Sequence, residues 1–151
     1  MLSLYEELTA IIDTLESQGI QYALCGGIAV AVHGFTRATE DIDLLLPAEE
    51  ADRAEAAVAP LGFTIRAHPM SFASGMMKIR RVSKIDAEGD LLMLDLLIVT
   101  EASKDVWETR EQMTWRGRPV TVVSREGLVK LKKFRGSKLD LADIEYLENG
   151  E

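Results

Sequence analysis

Two aspartates separated by one residue, Asp41 and Asp43, stand at the start of the apolar run Ile42–Leu46. We predict a strand there, and because side chains alternate across a strand, both carboxylates point to the same face. Their Cα atoms would lie roughly 6.5–7 Å apart. Such carboxylates repel each other unless a cation lies between them, and Mg²⁺ takes one or two carboxylates together with substrate phosphates. The alternative is that Asp41 caps a turn and Asp43 is solvated.

A third carboxylate, Asp95, interrupts the apolar run from Leu91 to Val99. A lone charge in such a run is costly to bury without a partner. If its strand lies beside that of Asp43, neighbouring Cβ atoms would be about 4.5–5.5 Å apart. Asp95 would then complete a cluster of three carboxylates. The alternative is a surface aspartate on a half-exposed strand.

Residues suited to phosphate surround the paired aspartates. Gly26 and Gly27 follow a short apolar run, and between a strand and a helix they would let backbone N–H groups approach a phosphate. A glycine pair is also common in a simple tight turn. Arg37 and Thr39 precede the aspartates and have side chains that bind phosphate oxygens, although Arg37 could instead pair with Glu40.

One lysine near the C-terminus borders an apolar helical stripe. In a helix from Leu128 to Phe134, Lys132 would lie beside the stripe and reach inward toward a triphosphate. The alternative is a solvated basic face whose lysines pair with Asp140 and Asp143.

The composition limits the class of protein. A chain of 151 residues predicts a single domain over residues 1–151. The net charge of −8 disfavours non-specific binding to long nucleic acid. A single cysteine, Cys25, excludes an internal disulfide and suits a reducing cytoplasm. The N-terminal residues do not resemble a signal peptide, and no apolar run is long enough to cross a bilayer, so we expect a cytoplasmic protein.

The elements that position these residues alternate between helices and strands, with hairpins later in the chain. This order predicts an α+β domain with a mixed sheet flanked by helices. Helices are predicted over Leu2–Ser17, Ile28–His33, Ala48–Ala59, Ser103–Arg110, Leu128–Phe134 and Leu139–Leu147, and strands over Tyr22–Cys25, Ile42–Leu46, Gly62–His68, Met76–Ile85, Leu91–Val99, Met113–Arg116 and Val120–Val123, with a loop over Pro69–Gly75.

This set of residues resembles the nucleotidyltransferase superfamily, whose fold is that of polymerase beta. The glycine pair, the spaced acidic pair on the next strand and the carboxylate on a later strand carry the resemblance. The C-terminal residues are similar to the tail of small bacterial members, which include nucleotidyltransferase-like toxins of abortive-infection systems. The tail residues that match are Lys132, Gly136, Asp140, Asp143 and Ile144.

The resemblance implies transfer of a nucleoside monophosphate from a nucleoside triphosphate to an acceptor. Asp41, Asp43 and Asp95 would hold Mg²⁺, in a pair of ions, and Asp95 would orient or deprotonate the acceptor hydroxyl. The acceptor is open between an RNA end, a protein hydroxyl and a small molecule. Alternatives are a non-catalytic module that binds a cognate toxin or antitoxin, and a metal-dependent phosphohydrolase.

Overall fold

The computed structural model describes residues 2–35, 39–135 and 138–149. Its helices are α1 (Leu4–Ser17), α2 (Gly26–Val32), α3 (Ala51–Val58), α4 (Lys104–Glu108), α5 (Arg125–Arg135) and α6 (Lys138–Asn149). Its strands are β1 (Ala23–Cys25), β2 (Ile42–Leu46), β3 (Ile65–Arg66), β4 (Met70–Phe72), β5 (Met77–Ile85), β6 (Leu91–Ile98), β7 (Glu111–Trp115) and β8 (Arg118–Val122). Among the described residues, no helix is both long and apolar enough to cross a membrane.

The strands form one eight-stranded mixed sheet in the order β3-β5-β6-β2-β1-β8-β7, with β4 also paired to β5. The pairs β2–β6 and β1–β8 are parallel, and the other pairs are antiparallel. Strand β2 therefore lies at the centre, between β6 and β1, and all five of its residues are buried. This mixed sheet with flanking helices confirms the predicted fold class.

The first helix shows how the sequence specifies an element. The side chain of Ser3 accepts a hydrogen bond from the backbone N–H of Glu6 at 3.3 Å and caps the helix N-terminus. Leu8, Ile11, Ile12 and Leu15 form the buried stripe of α1. After the helix, Gly19 adopts a φ of +70°, which favours glycine and ends the helical path.

Helices cover both faces of the sheet. On one face, Arg80 of β5 pairs with Glu55 of α3, and Lys84 pairs with Glu7 of α1 at 2.8 Å. Arg81 alternates with Arg80 and therefore projects from the opposite face. That opposite face is covered by α5, and α6 packs against α5.

Two expectations for the middle of the chain were wrong. The predicted loop Pro69–Gly75 contains strand β4, and the predicted strand Gly62–His68 shortens to β3. Both short strands pair with the long strand β5, which supplies hydrogen bonds that local sequence patterns do not reveal. Strands of two or three residues are too short to show an alternating pattern.

Candidate active site

The candidate site is built on a row of side chains that crosses the sheet. Asp43 of β2 is the register partner of Asp95 of β6 in the parallel pair, and Arg81 of β5 is the antiparallel partner of Asp95. On the other side, Cys25 of β1 is the partner of Asp43. Register partners project to the same face, so these four side chains form a line on the face that α5 covers.

The two central carboxylates are almost completely withdrawn from water. Asp43 is 8% exposed and Asp95 is 2% exposed. The guanidinium of Arg81 donates two hydrogen bonds to Asp95, from Nε to Oδ1 at 2.6 Å and from Nη2 to Oδ2 at 3.0 Å. This bidentate ion pair gives the most buried of the predicted carboxylates a fixed orientation.

Of Asp41 and Asp43, Asp43 has the pKa that is shifted further from its usual value. Burial, and then the negative charge of Asp95, raise the pKa of Asp43 to about 7. The pKa of Asp41, which precedes β2 and is partly buried, is also raised by burial and then by the charge of Asp95. The charge of Asp95 therefore acts on both other predicted carboxylates, and their joint role as metal ligands stays a prediction.

The glycine pair meets the carboxylates directly. Gly26 is the first residue of α2, has a φ of +65° and lies against Asp43, so that a Cβ atom there would be 2.6 Å from Cγ of that aspartate. Only glycine fits this contact and this backbone conformation without displacement. Gly27 is buried in the first turn of α2.

Lys132 is a buried residue of α5, whereas one of the two predictions placed it on a solvated face. It is 6% exposed and lines a pocket together with Gly26, Asp43 and Arg135. Its Nζ lies 3.0 Å from Oδ2 of Asp143, which is itself buried. The expected partnership with Asp143 is therefore present, but the expectation of a solvated pair was wrong.

Thr39, another predicted phosphate ligand, does not line this pocket. The hydroxyl of Thr39 donates to the carbonyl oxygen of Asp41 at 3.4 Å, and Thr39 lines a groove beside Tyr5 and Trp115 instead. Arg37 lies outside the described residues. Its predicted contact with phosphate therefore stays a prediction.

Three residues near the carboxylates were missed by sequence reasoning as parts of the site: Arg81, Arg135 and Asp143. Arg135 lines the pocket with Asp43 and Lys132, and its positive charge offsets part of the rise in the pKa of Asp43 that burial and Asp95 cause. Arg81 lies on the predicted strand Met76–Ile85, but no sequence signal indicated its contact with Asp95.

The carboxylate row fits a hard divalent cation. It offers oxygen ligands, and a bound cation would offset the burial and the charge of Asp95 that raise the pKa of Asp43. Among the described residues, a group of three acids with ligand atoms within 4.8 Å of one another occurs only at Asp86, Glu88 and Asp90. Asp41, Asp43 and Asp95 lie near one another, but their carboxylate oxygens are not all within 4.8 Å of one another.

The Asp86 group has an ordinary structural role. It lies in the turn between β5 and β6, where the Asp86 carboxylate accepts hydrogen bonds from the backbone N–H groups of Glu88 and Asp90 at 3.0 and 2.8 Å. Hydrogen bonding from Asp90 lowers the pKa of Asp86. This group stabilises a hairpin turn and is not part of the candidate site.

Comparisons with known structures support the fold. The lincosamide antibiotic adenylyltransferase LnuA, solved with lincomycin bound, superposes with a TM-score of 0.65 at 18% identity, over 97% of each chain. ANT(2'')-Ia in complex with adenylyl-2''-tobramycin superposes with a TM-score of 0.66 at 18% identity, over 93% of this chain and 84% of that one. No curated protein matches the sequence.

The sequence also matches a family profile over most of its length. The profile is described as aminoglycoside-2''-adenylyltransferase, and it matches residues 7–147. This confirms the predicted resemblance to nucleotidyltransferases and the prediction of an enzyme. A role in a toxin–antitoxin system stays a prediction. The chain belongs to the aminoglycoside-2''-adenylyltransferase family of nucleotidyltransferases.

Proposed function

We propose that this protein transfers an adenylyl group from ATP to a hydroxyl group of a small antibiotic. The proposal rests chiefly on the register that pairs Asp43 with Asp95 across β2 and β6. That pairing supports a site for one metal-bound nucleotide and one acceptor hydroxyl. The family to which the chain belongs supports adenylyl as the transferred group.

In the proposed reaction the acceptor oxygen forms a bond to the α-phosphorus, and the bond from that phosphorus to the bridging oxygen breaks. Pyrophosphate leaves with the bonding electrons, and the acceptor proton passes to Asp95. Both oxygens of Asp95 accept from Arg81, but a carboxylate oxygen has two lone pairs and retains capacity for a proton or a metal ion.

The other residues hold the donor nucleotide. Asp41, Asp43 and Asp95 would bind Mg²⁺, in a pair of ions as the family resemblance implies, which would stabilise negative charge on the transferring phosphoryl group. Gly26, Gly27, Arg37 and Lys132 would bind the phosphates. The pocket lined by Gly26, Asp43 and Lys132 supports placing the phosphates at this edge of α2.

The nature of the acceptor is proposed from charge and from the comparisons. The chain has a net charge of −8, which favours the approach of cationic molecules over that of anionic ones. The complexes named above contain adenylyl-2''-tobramycin in one case and lincomycin in the other. An amine-bearing antibiotic satisfies both considerations better than an RNA end, which is an anion.

Purified protein is incubated with Mg²⁺ and ATP labelled at the α-phosphate, together with aminoglycosides, lincosamides, an RNA and a cell extract in separate reactions. We expect label in an antibiotic and release of pyrophosphate. Asp95→Asn should reduce the rate at least 100-fold, the lower end of typical general-base contributions. Asp86→Asn is the matched control, because it neutralises an acid of the hairpin turn and leaves the site intact.

Two results would contradict the proposal. Label that appears only in free AMP, whatever acceptor is added, indicates a phosphohydrolase. Label that enters a protein or RNA of the extract but no antibiotic indicates another acceptor class.

A further inference from the structure

A buried ion pair joins α5 and α6 behind the candidate nucleotide pocket. Lys132 of α5 is 6% exposed and Asp143 of α6 is fully buried, with 3.0 Å between Nζ and Oδ2. Among the described residues, the other buried side chains of these two helices are apolar. A second ion pair between the helices, Lys133 with Glu148, is exposed, so Lys132 and Asp143 are the pair that is withdrawn from water.

Helix packing alone does not account for the pair. Removing two charges from water is costly, and replacing a buried ion pair by well-packed apolar side chains is often neutral or stabilising. Leucines at both positions would continue the surrounding interface. The distinctive property of the pair is that it holds the ammonium group of Lys132 beside the candidate pocket.

Lys132 belongs to the pocket as well as to the helix interface. It lines the pocket with Gly26 and Asp43, the residues at the junction of α2 and β2. A lysine side chain is long and flexible, and it gives up much of its rotamer freedom when it binds a ligand. An ion pair formed on folding fixes the ammonium before a nucleotide arrives.

We propose that Asp143 is a positioning residue for the transfer reaction, whose carboxylate holds the ammonium of Lys132 at the pocket where it meets the triphosphate of the donor nucleotide. The proposal rests on the function proposed above. An ammonium carries three N–H donors, so a bond to Asp143 is compatible with a second bond to a phosphate oxygen. Asp143 thereby connects the C-terminal helix α6 to nucleotide binding.

The test measures nucleotide binding apart from transfer, by calorimetry with Mg²⁺ and the non-cleavable analogue α,β-methylene-ATP. Asp143→Asn should weaken binding about tenfold. In the variant the lysine side chain loses its rotamer freedom when the nucleotide binds, whereas in wild type it has already lost that freedom on folding. With ATP as substrate the KM of the variant should rise similarly, whereas the KM for the acceptor should not change. Glu7→Gln is the control, because it neutralises one partner of the partly buried Lys84–Glu7 pair on the other face of the sheet.

A double-mutant cycle separates positioning from general structural damage. Lys132→Met and Asp143→Leu should each weaken nucleotide binding, and the double variant should lose no more than Lys132→Met alone, because Asp143 acts only through Lys132. The apolar double variant also removes both charges, so it keeps the test decisive if Asp143→Asn folds poorly.

Unchanged binding in Asp143→Asn overturns the proposal. Tighter binding also overturns it, because Asp143 would then compete with phosphate for Lys132. Additive losses in the cycle overturn it as well. If wild-type protein binds the analogue but adenylylates no antibiotic, the proposed acceptor is wrong. The proposal for Asp143 is then decided by the change in nucleotide affinity of Asp143→Asn. Wild-type protein that does not bind the analogue overturns both proposals.

Discussion

Asp43 combines burial with unfavourable neighbours. It is 8% exposed, and its pKa is raised to about 7 by burial and by the charge of Asp95. At neutral pH the folded protein therefore carries this group partly protonated. A cation bound at the pocket would favour the charged form, so we expect Asp43 to contribute to cation binding and not to the stability of the fold.

Replacing Asp43 by asparagine should separate function from stability. The change removes an anionic metal ligand, so transfer should fall by at least 100-fold, since electrostatic stabilisation of the reacting phosphoryl group is worth several kcal/mol. It also removes repulsion among carboxylates, so the metal-free melting temperature should stay unchanged or rise. Thermal melts in EDTA together with transfer assays test both effects. A variant clearly less stable than metal-free wild type contradicts the assignment of Asp43 as a metal ligand.

Arg81 should be coupled to metal binding. Its two hydrogen bonds neutralise Asp95, so Arg81→Gln should destabilise the metal-free protein by about 1.5–3 kcal/mol, the range for hydrogen bonds to charged groups. Because bound Mg²⁺ supplies the missing positive charge, the rise in melting temperature on adding Mg²⁺ should be larger in the variant than in wild type. Melting curves over a Mg²⁺ titration measure this difference.

Arg53→Gln is the control for Arg81. Arg53 pairs with Glu50 on the surface, where its side chain is 52% exposed, so its loss should cost less than about 1 kcal/mol. Its response to Mg²⁺ should equal that of wild type. An equal Mg²⁺ response in Arg81→Gln would show that Arg81 and the metal site are independent.

At the scale of elements, the site depends on the parallel pairing of β2 with β6. The sequence marked Asp43 and Asp95 because each interrupts an apolar run, and charges in such runs need partners. Whether the two strands are neighbours was not predictable from these runs. Helix α3 and strands β3 to β5 separate them in the chain, and their register is set by how the whole sheet assembles.

The residues that sequence reasoning missed are those whose role depends on tertiary packing. Arg80 and Arg81 are adjacent arginines, and only the finished sheet decides that one meets α3 and the other meets Asp95. Asp143 has the same appearance as a surface acid of an amphipathic helix. Its burial follows from the docking of α6 on α5, which no local pattern encodes.

The junction between β1 and α2 gives a prediction at this scale. Gly26→Ala places a methyl group on the carboxylate of Asp43 and forces an L residue to a φ of +65°. The backbone conformation alone costs roughly 1–2 kcal/mol, and the overlap should raise the loss above about 3 kcal/mol. Chemical denaturation measures the free energy of unfolding. Nucleotide binding should weaken in parallel, because the phosphate approach is obstructed.

Gly19→Ala is a closely matched control. Gly19 has a φ of +70°, and no heavy atom lies within 4 Å of the Cβ position. It should therefore lose only the roughly 1–2 kcal/mol of the backbone conformation and retain nucleotide binding. Equal losses in the two variants would show that the contact between Gly26 and Asp43 has no energetic consequence.

For the whole molecule, the acid groups with raised pKa values should make the free energy of unfolding depend on pH. An acid whose pKa is higher in the folded than in the unfolded protein binds its proton more tightly when folded. Its contribution to stability is therefore lost as pH rises from its unfolded pKa, about 4, to its folded pKa. For Asp43 that interval ends at about 7. Asp86 and Asp105 have lowered pKa values, so their contributions change only at acidic pH.

Urea denaturation in EDTA at pH 5, 6, 7 and 8 should therefore show wild type losing stability relative to Asp43→Asn as pH rises. At about 1.4 kcal/mol per pKa unit, the change between pH 5 and pH 7 is about 3 kcal/mol, and it should level off above pH 7. Mg²⁺ should reduce the difference at pH 8, because the bound cation stabilises the charged carboxylate of wild type. Asp86→Asn should show no pH-dependent difference from wild type over the same range. A constant difference between wild type and Asp43→Asn from pH 5 to pH 8 would mean that Asp43 is already ionised throughout, with its charge neutralised by the cations beside it.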